Sequence, residues 1–221
     1  MAIIIGISLL LMATLAIFVI PAATGGFVLG DAILTALNVT GNFGKFIWGI
    51  VGWIGILLLD ISISLGTYNY YKKKDKKKAA LTGGLRLAYS GVLAVAIANL
   101  LKVRISTPSI NIYNSINMFN SLWSWGLIVF GLQLISLGIL YNNEGGKKWV
   151  NILIKSLLII EGLGYMIINI GMLLVPNPIA FAALLQPFFL IPRIFGETFY
   201  AIWMLLKGGR KKVKSAETKT K

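Results

Sequence analysis

The chain has 221 residues, of which 57% are hydrophobic and 13% are charged, and its formal net charge is +14. Soluble domains usually contain about 25% charged residues, so this composition excludes an ordinary soluble fold and favours a polytopic membrane protein. The sequence contains neither cysteine nor histidine. Their absence excludes disulfides, thiolate zinc sites, haem and iron–sulfur ligation, and histidine acid–base catalysis, and no metal site or cofactor is predicted.

Six apolar runs are long enough to cross a membrane, because about 20 helical residues span a hydrocarbon core of about 30 Å. They cover residues 2–20, 44–70, 79–101, 122–141, 150–175 and 183–206. The first run is interpreted as a retained span rather than a signal peptide, since neither Lys nor Arg precedes it. The sequence therefore predicts an all-α polytopic bundle of six transmembrane helices. Residues 1–206 form its single domain, and residues 207–221 form a basic, disordered cytoplasmic tail.

Basic residues gather in the loops that a six-span topology places on one side. The fourth loop holds Lys147 and Lys148, the tail holds seven basic residues, and the second loop holds Lys72, Lys73, Lys74, Lys76, Lys77 and Lys78. The opposite side has Lys45, Lys102 and Arg104 near its span ends. The positive-inside rule then predicts a cell-membrane protein with both termini in the cytoplasm. The lysine run is interpreted as a topology signal, with contact to anionic lipid as the sharper alternative. Nucleic acid is not predicted as a partner.

Two outer loops predict one or two short helices that lie in the membrane interface. Asp31 is suited to N-cap a helix that runs through Leu37. After Pro108, apolar residues recur at helical spacing and predict an amphipathic helix: Ile112, Ile116, Phe119 and Trp123. The asparagines at positions 111, 114, 117 and 120 form either its solvated face or a sugar or ion site. Tryptophans near the span ends predict an aromatic belt: Trp48, Trp53, Trp123, Trp125, Trp149 and Trp203.

Ionisable residues within the spans are the most informative feature of the sequence: Asp60, Arg86, Lys155, Glu161, Arg193 and Glu197. A charge at a helix centre costs about 2.5–3.5 kcal/mol, so these side chains should turn inward and pair. At 1.5 Å per residue the three acids share a layer about 15 Å from the lysine-rich face, whereas Lys155 can reach the surface. Three acids against two arginines leave one carboxylate without a guanidinium. That surplus is usual in proton relays and cation-coupled carriers, and a structural ion-pair network is the alternative.

The sixth span contains Pro187 and Pro192, and each proline should kink the helix because it removes a backbone hydrogen bond. Arg193 and Glu197 are four residues apart and therefore share a helix face. A broken helix beside charges at mid-depth is typical of a transporter binding site, although an ordinary kink would look the same in the sequence.

Short motifs recur in a fixed order across five spans. An acid, Asp60, stands in the second span, and the later spans contain Arg86-Leu87-Ala88-Tyr89, Phe130-Gly131-Leu132-Gln133 with Leu137-Gly138, Gly162-Leu163-Gly164-Tyr165, and Pro192 followed by Gly196-Glu197. In this order the chain resembles the multi-pass membrane family catalogued as domain of unknown function 4386. The resemblance implies the six-span fold and the location of the site, and it implies no mechanism. Many members carry His where Gln133 stands, so an activity that needs that His would be absent here.

Two functions remain open at this stage. The first is a small-solute or ion/proton-coupled carrier, whose intramembrane polar cluster would be Asp60, Arg86, Tyr89, Gln133, Glu161, Tyr165, Arg193 and Glu197. The second is a non-catalytic subunit or assembly factor of a larger membrane complex, in which the charges are structural and the partners are proteins. An enzyme is the least favoured class, because no nucleophile-plus-base pair is visible without His or Cys. A carrier needs a cavity that reaches the charged layer, whereas a structural network can be sealed.

Overall fold

A computed structural model describes residues 1–22, 31–103, 108–141 and 147–217. Within these ranges the chain forms seven helices and no strand: α1 (Ala2–Ile20), α2 (Ala32–Gly41), α3 (Phe43–Tyr71), α4 (Lys76–Val103), α5 (Ser109–Leu140), α6 (Lys148–Leu174) and α7 (Pro178–Glu217). All of them except α2 are long and apolar enough to cross a membrane. The prediction of an all-α polytopic membrane bundle is therefore confirmed.

The six long helices form a closed ring. Each packs against its neighbours in chain order, from α1 and α3 through α4, α5 and α6 to α7, and α7 returns to α1. The connections after α3 are short, so those neighbouring helices run antiparallel. Helices α1 and α3 are antiparallel as well, because Gly66 lies against Ile5 and Gly52 against Val19. We call the end of the ring that carries Met1 and residues 72–78 the lysine side, and the opposite end the α2 side.

Two aspartates cap helices. The Oδ1 atom of Asp31 accepts the backbone N–H groups of Ile33 and Leu34 at 2.8 and 2.9 Å, so α2 begins where the sequence predicts. Asp75 lies inside the lysine run and accepts the N–H of Lys78 at 3.0 Å where α4 begins. That hydrogen bond holds the pKa of Asp75 below its ordinary value. All six lysines of the run are exposed.

The second predicted outer helix is not a separate element, because its residues form the first turns of α5. This helix has 32 residues and is about 48 Å long. No proline interrupts it, so the amphipathic segment and the span continue as one helix. Its apolar face, with Ile112, Ile116 and Phe119, is buried, and α5 packs here against α2 rather than lying flat on lipid. Asn111 and Asn114 are exposed.

The two terminal spans differ most in length. Helix α1 has 19 residues and is about 28 Å long, close to the thickness of a bilayer core. Helix α7 has 40 residues and continues to Glu217, past the boundary predicted at residue 206. Residues 218–221 and Arg104 lie outside the described ranges, and the disorder of the tail stays a prediction.

The prediction of an aromatic belt is correct for only part of the tryptophans. Trp48 is 75% exposed near the start of α3, as a belt residue should be, and Trp125 and Trp149 are also exposed. Trp53 is only 2% exposed, and its ring lies 5.0 Å from that of Trp123 and 5.2 Å from that of Phe119. The position of a tryptophan near a span end does not determine which way its side chain points. The rings of Trp53 and Trp123 point into the bundle.

Glycines set the closest approach between helices, at the crossing of α5 and α6. A Cβ atom on Gly162 would lie 2.5 Å from the carbonyl oxygen of Gly131, and a Cβ on Gly131 would lie 2.5 Å from that of Gly162. Small residues at such crossings allow backbones to pack directly against each other.

Gly162→Ala should lower the free energy of unfolding by about 1–3 kcal/mol, because the added methyl group must push α5 and α6 apart. The measurement is denaturation of the purified protein in detergent, followed by circular dichroism. Gly91→Ala is the matched control, since a Cβ there meets no atom within 4 Å. Equal stability of the two variants would contradict the direct contact between the helices.

Candidate functional site

Arg86 joins three helices at the centre of the ring. Its Nε donates to Asp60 Oδ1 on α3 at 2.9 Å, and its Nη2 lies 2.8 Å from the same oxygen. Its Nη1 donates to Glu197 Oε1 on α7 at 2.8 Å. The guanidinium also lies 5.2 Å from the ring centroid of Phe130. Arg86 and Asp60 are fully buried, so these charges are stable only as a paired group.

The Arg86–Glu197 ion pair crosses the ring. In the ring order, α4 and α7 lie on opposite walls, separated by α3 and α1 in one direction and by α5 and α6 in the other. The two residues are 111 positions apart in the sequence. One side chain therefore links walls that do not pack against each other directly.

Glu161 and Arg193 form a second group, and they are not paired. Glu161 on α6 is 1% exposed, and its Oε2 has no hydrogen-bond partner among the described residues. Its carboxylate lies against Gly196 of α7, where any side chain would collide with it. The Arg193 guanidinium stacks over the Tyr165 ring at 4.5 Å. Within the described ranges no carboxylate oxygen lies within 4.0 Å of it.

The sequence predicts one carboxylate without a guanidinium, and Glu161 is in that position, but the expected pairing of Arg193 with an acid is wrong among the described residues. Arg86 has a planar fork of donors that holds two carboxylates at once, as guanidinium groups commonly do. Asp60 and Glu197 both use that fork. Glu161 is the acid left over, and Arg193 is held by an aromatic face instead of by an acid.

A cavity of about 420 Å³ lies beside both charged groups. Its polar lining is Asp60, Glu161, Arg193, Glu197 and Thr198, its aromatic lining is Trp53, Tyr89, Trp123, Phe130 and Tyr165, and the remainder is apolar. This volume falls in the range of about 300–1,000 Å³ that small-molecule sites occupy. The charged layer is thus not sealed by packing.

Among the described residues, the cavity opens between α1 and α7. Ala13 and Ile17 of α1 and Ile194 of α7 line it, yet Ile17 is 70% and Ile194 is 51% exposed on the outside of the bundle. Towards the lysine side the same two helices are in contact, since a Cβ on Gly6 would lie 2.8 Å from the carbonyl oxygen of Ala201. The opening therefore lies towards the α2 side and faces laterally.

Tyrosines close the bundle between the cavity and the lysine side. Tyr71, Tyr141 and Tyr200 are buried, and the Tyr200 hydroxyl donates to the Tyr71 hydroxyl at 3.3 Å. The Tyr141 ring meets those of Tyr200 and Trp203 edge to face, at 5.9 and 4.7 Å.

The structure brings most of the predicted cluster to one cavity. Six of its members line it: Asp60, Tyr89, Glu161, Tyr165, Arg193 and Glu197. Arg86 lies behind the lining, bound to two of them. Gln133 is fully buried away from the lining, and neither its Oε1 nor its Nε2 has a hydrogen-bond partner in the described part of the chain.

The remaining predicted residues lie nearby. Helix α7 is continuous through Pro187 and Pro192, so the chain is not broken there. Pro192 nevertheless has no N–H to donate to the carbonyl of Phe188, one turn before Arg193. Lys155 lines a separate cleft of about 240 Å³ with Lys74 and Lys78, on the lysine side.

Sequence reasoning missed three aromatic residues of the lining, Trp53, Trp123 and Phe130, and one contact of Arg86. Trp53 precedes Asp60 by seven residues, and Trp123 precedes Phe130 by seven, so each pair is two turns apart on one helix face. Because Asp60 is expected to face inward, its helix face predicts that Trp53 faces inward as well. Met12, whose Sδ accepts from Arg86 Nη2 at 3.6 Å, had no such signal.

In the part of the chain that the structure describes, no group of three or more His, Cys, Asp or Glu side chains could hold a metal ion. The arrangement can instead bind a ligand by charge, aromatic faces and apolar contact. Its ionisable lining can also exchange protons with whatever occupies the cavity.

Comparisons with known proteins agree with the resemblance expected from the motifs. The family model described as "Domain of unknown function (DUF4386)" matches residues 4–208, which include every cavity residue. A similar protein, an uncharacterized protein of Archaeoglobus fulgidus, is 26% identical over 178 residues, covering 76% of this chain and 88% of that protein. No solved structure matches the chain.

Arg86→Met should lower the free energy of unfolding by about 3–5 kcal/mol, because it leaves two carboxylates without their guanidinium. Denaturation in mixed detergent micelles measures the loss. Arg193→Met is the matched control and should cost less, since no carboxylate pairs with Arg193. The triple variant D60N/R86M/E197Q should recover most of the stability. If the two single variants are equally unstable, Arg86 does not hold the helices together in this way.

Proposed function

We propose that this protein, which belongs to the DUF4386 family, is a small carrier whose solute occupies the central cavity and is coupled to a proton or another cation. The observation that carries the proposal is Glu161. It is a buried carboxylate without a cationic partner within 4.0 Å among the described residues, and it lines a cavity of small-molecule size. Protonatable groups of this kind in a span are typical of relays and coupled carriers.

The two charged groups would have different roles, one in helix packing and the other in ligand binding. The Asp60–Arg86–Glu197 group is paired through hydrogen bonds and supports the packing of α3, α4 and α7. Glu161 and Arg193 are not committed to an ion pair, so both can respond to a ligand. We therefore give the binding role to Glu161 and Arg193, which form no ion pair among the described residues.

Transport also requires the cavity to open on a second side. In the described state it opens between α1 and α7, and tyrosines close the lysine side. We propose α7 as the moving wall, because Pro187 and Pro192 remove two of its backbone hydrogen bonds beside the site. The helix is continuous through both prolines, so the movement would be a bend at these positions and not a break in the helix.

One observation favours a second candidate, a non-catalytic subunit or assembly factor of a larger membrane complex. The Arg86–Glu197 pair links opposite walls of the ring, which is what a purely structural network would do. In that case the cavity would have no ligand, and partner proteins would cover part of the outer apolar surface.

We propose further that the protein lies in the cell membrane with both termini in the cytoplasm. The lysine side would then face the cytoplasm, where Lys72, Lys73, Lys74, Lys76, Lys77 and Lys78 can contact anionic lipid head groups. Their side chains are exposed, as contact with lipid head groups requires.

The carrier hypothesis is tested by a rapid acid jump, from an alkaline starting pH that ionises Glu161, on proteoliposomes adsorbed to a supported membrane. Protons that reach Glu161 move charge within the membrane, so we expect a transient current in the wild type and its loss in Glu161→Gln. Asp31→Asn is the matched control, because it removes an exposed carboxylate from α2 and keeps a capping side chain. No current in the wild type would contradict proton access and favour the structural subunit.

The orientation is tested with single cysteines, which the cysteine-free chain makes unambiguous. A membrane-impermeant maleimide should label Thr40→Cys on intact cells and should label Lys73→Cys only after permeabilisation. Both positions are exposed, so accessibility alone does not separate them. The reverse labelling pattern would invert the topology.

A further inference from the structure

We infer that the ligand of the cavity is a hydrophobic organic cation, and that it enters from the bilayer through the opening between α1 and α7. This inference rests on the proposed function, because it names the substrate class of the same site. Three independent features of the cavity support it: its charge, its aromatic walls and its lateral opening.

The charge of the site favours a cation. Asp60, Glu161 and Glu197 stand against Arg86 and Arg193, so the ionised cluster has one negative charge in excess. A monovalent cation neutralises that excess, whereas an anion would double it. An uncompensated charge in a buried site is strongly unfavourable, so the sign of the ligand matters more here than it would in water.

The walls of the cavity suit a cation without strong hydration. Trp53, Tyr89, Trp123, Phe130 and Tyr165 all line it, and aromatic faces attract cations and form the cages that bind quaternary ammonium groups. Two of these rings already accept a guanidinium, since Arg86 lies over Phe130 and Arg193 over Tyr165. Within the described ranges no cation lies over the other three rings, which line the cavity and also pack against neighbouring aromatic rings.

The entrance favours a ligand that dissolves in lipid. Ala13, Ala16, Ile17 and Ile20 of α1 and Ile194 of α7 form this part of the lining, and their side chains carry no hydrogen-bonding group. An inorganic ion would have to lose its water there without replacement. A cation whose charge is shielded by apolar substituents can pass from the bilayer directly to the aromatic walls.

Binding and proton release would then be one exchange. A buried carboxyl group with no cationic partner is neutralised by a proton. When the cation binds, the O–H bond of Glu161 breaks, the proton leaves to water, and the carboxylate pairs with the bound cation. One cation enters for each proton released, and the charge of the site does not change.

Equilibrium binding of radiolabelled tetraphenylphosphonium to the purified full-length protein in detergent tests this inference. We expect saturable binding of one cation per chain, which tightens by up to about tenfold per pH unit as protons are removed. Tetraphenylborate has nearly the same shape and the opposite charge, and it should not bind. Equal binding of the two ions would overturn the inference.

Variants of cavity residues test whether the cation binds in the cavity. Glu161→Gln should weaken binding at least tenfold and abolish its pH dependence, whereas Asp31→Asn should bind like the wild type. Size-exclusion chromatography checks the fold of each variant. If Glu161→Gln does not fold, Tyr89→Leu should weaken binding by roughly two- to tenfold and keep the pH dependence. Unchanged binding in the folded cavity variants would place the cation elsewhere and overturn the inference.

The acid-jump current separates this inference from the proposed function. Absence of tetraphenylphosphonium binding, together with a current that depends on Glu161, would reject the substrate class and leave the carrier intact. Binding that depends on Glu161, without any current, would reject the coupled carrier and retain an organic-cation site.

Discussion

The Arg86 guanidinium determines how the rest of the bundle is arranged. In a low-dielectric interior a charge is tolerated only when it is paired, and Arg86 pairs with one acid on α3 and another on α7. Because α4 and α7 do not pack against each other directly, this bridge fixes the width of the ring. At the separation of α4 and α7 that the ion pair sets, side chains do not fill the centre of the ring. The cavity is the space that remains.

The same bridge explains why the site has unpaired groups. One guanidinium holds two carboxylates, so Glu161 is in excess, and Arg193 rests on Tyr165. Gly196 makes room for the Glu161 carboxylate against α7, where any larger residue would displace it. The Gly196-Glu197 pair thus supplies both the recess for one acid and the partner for the arginine. A short motif in one helix therefore serves both charged groups.

Much of the fold could be predicted from the sequence, because the cost of burying charges and exposing apolar residues acts locally. The six spans and the inward turn of the charged residues follow from that cost, and the cap at Asp31 follows from the unpaired N–H groups of the first helical turn. The choice of partners within the ion pairs does not follow from that cost. Arg86 and Glu197 meet because of the order of helices in the ring, and no local pattern encodes that order.

Other features were misjudged for the same reason. The sequence shows where a tryptophan lies along a helix and not which way it points, so position alone predicts a belt that includes Trp53 and Trp123. The segment after Pro108 has the pattern of an interfacial helix, but its apolar face is covered by α2, and packing made it part of α5. Cavity volume depends on every side chain around the ring and has no signature in the sequence.

Among the described helices, α1 is the shortest of the six that can span a membrane, and it lines the cavity. At about 28 Å it barely matches an average hydrocarbon core, while every other spanning helix is longer and can absorb a thicker bilayer by tilting less. In a thicker bilayer the cost of hydrophobic mismatch would therefore fall first on α1, which forms one rim of the lateral opening, without any change in the charges behind it.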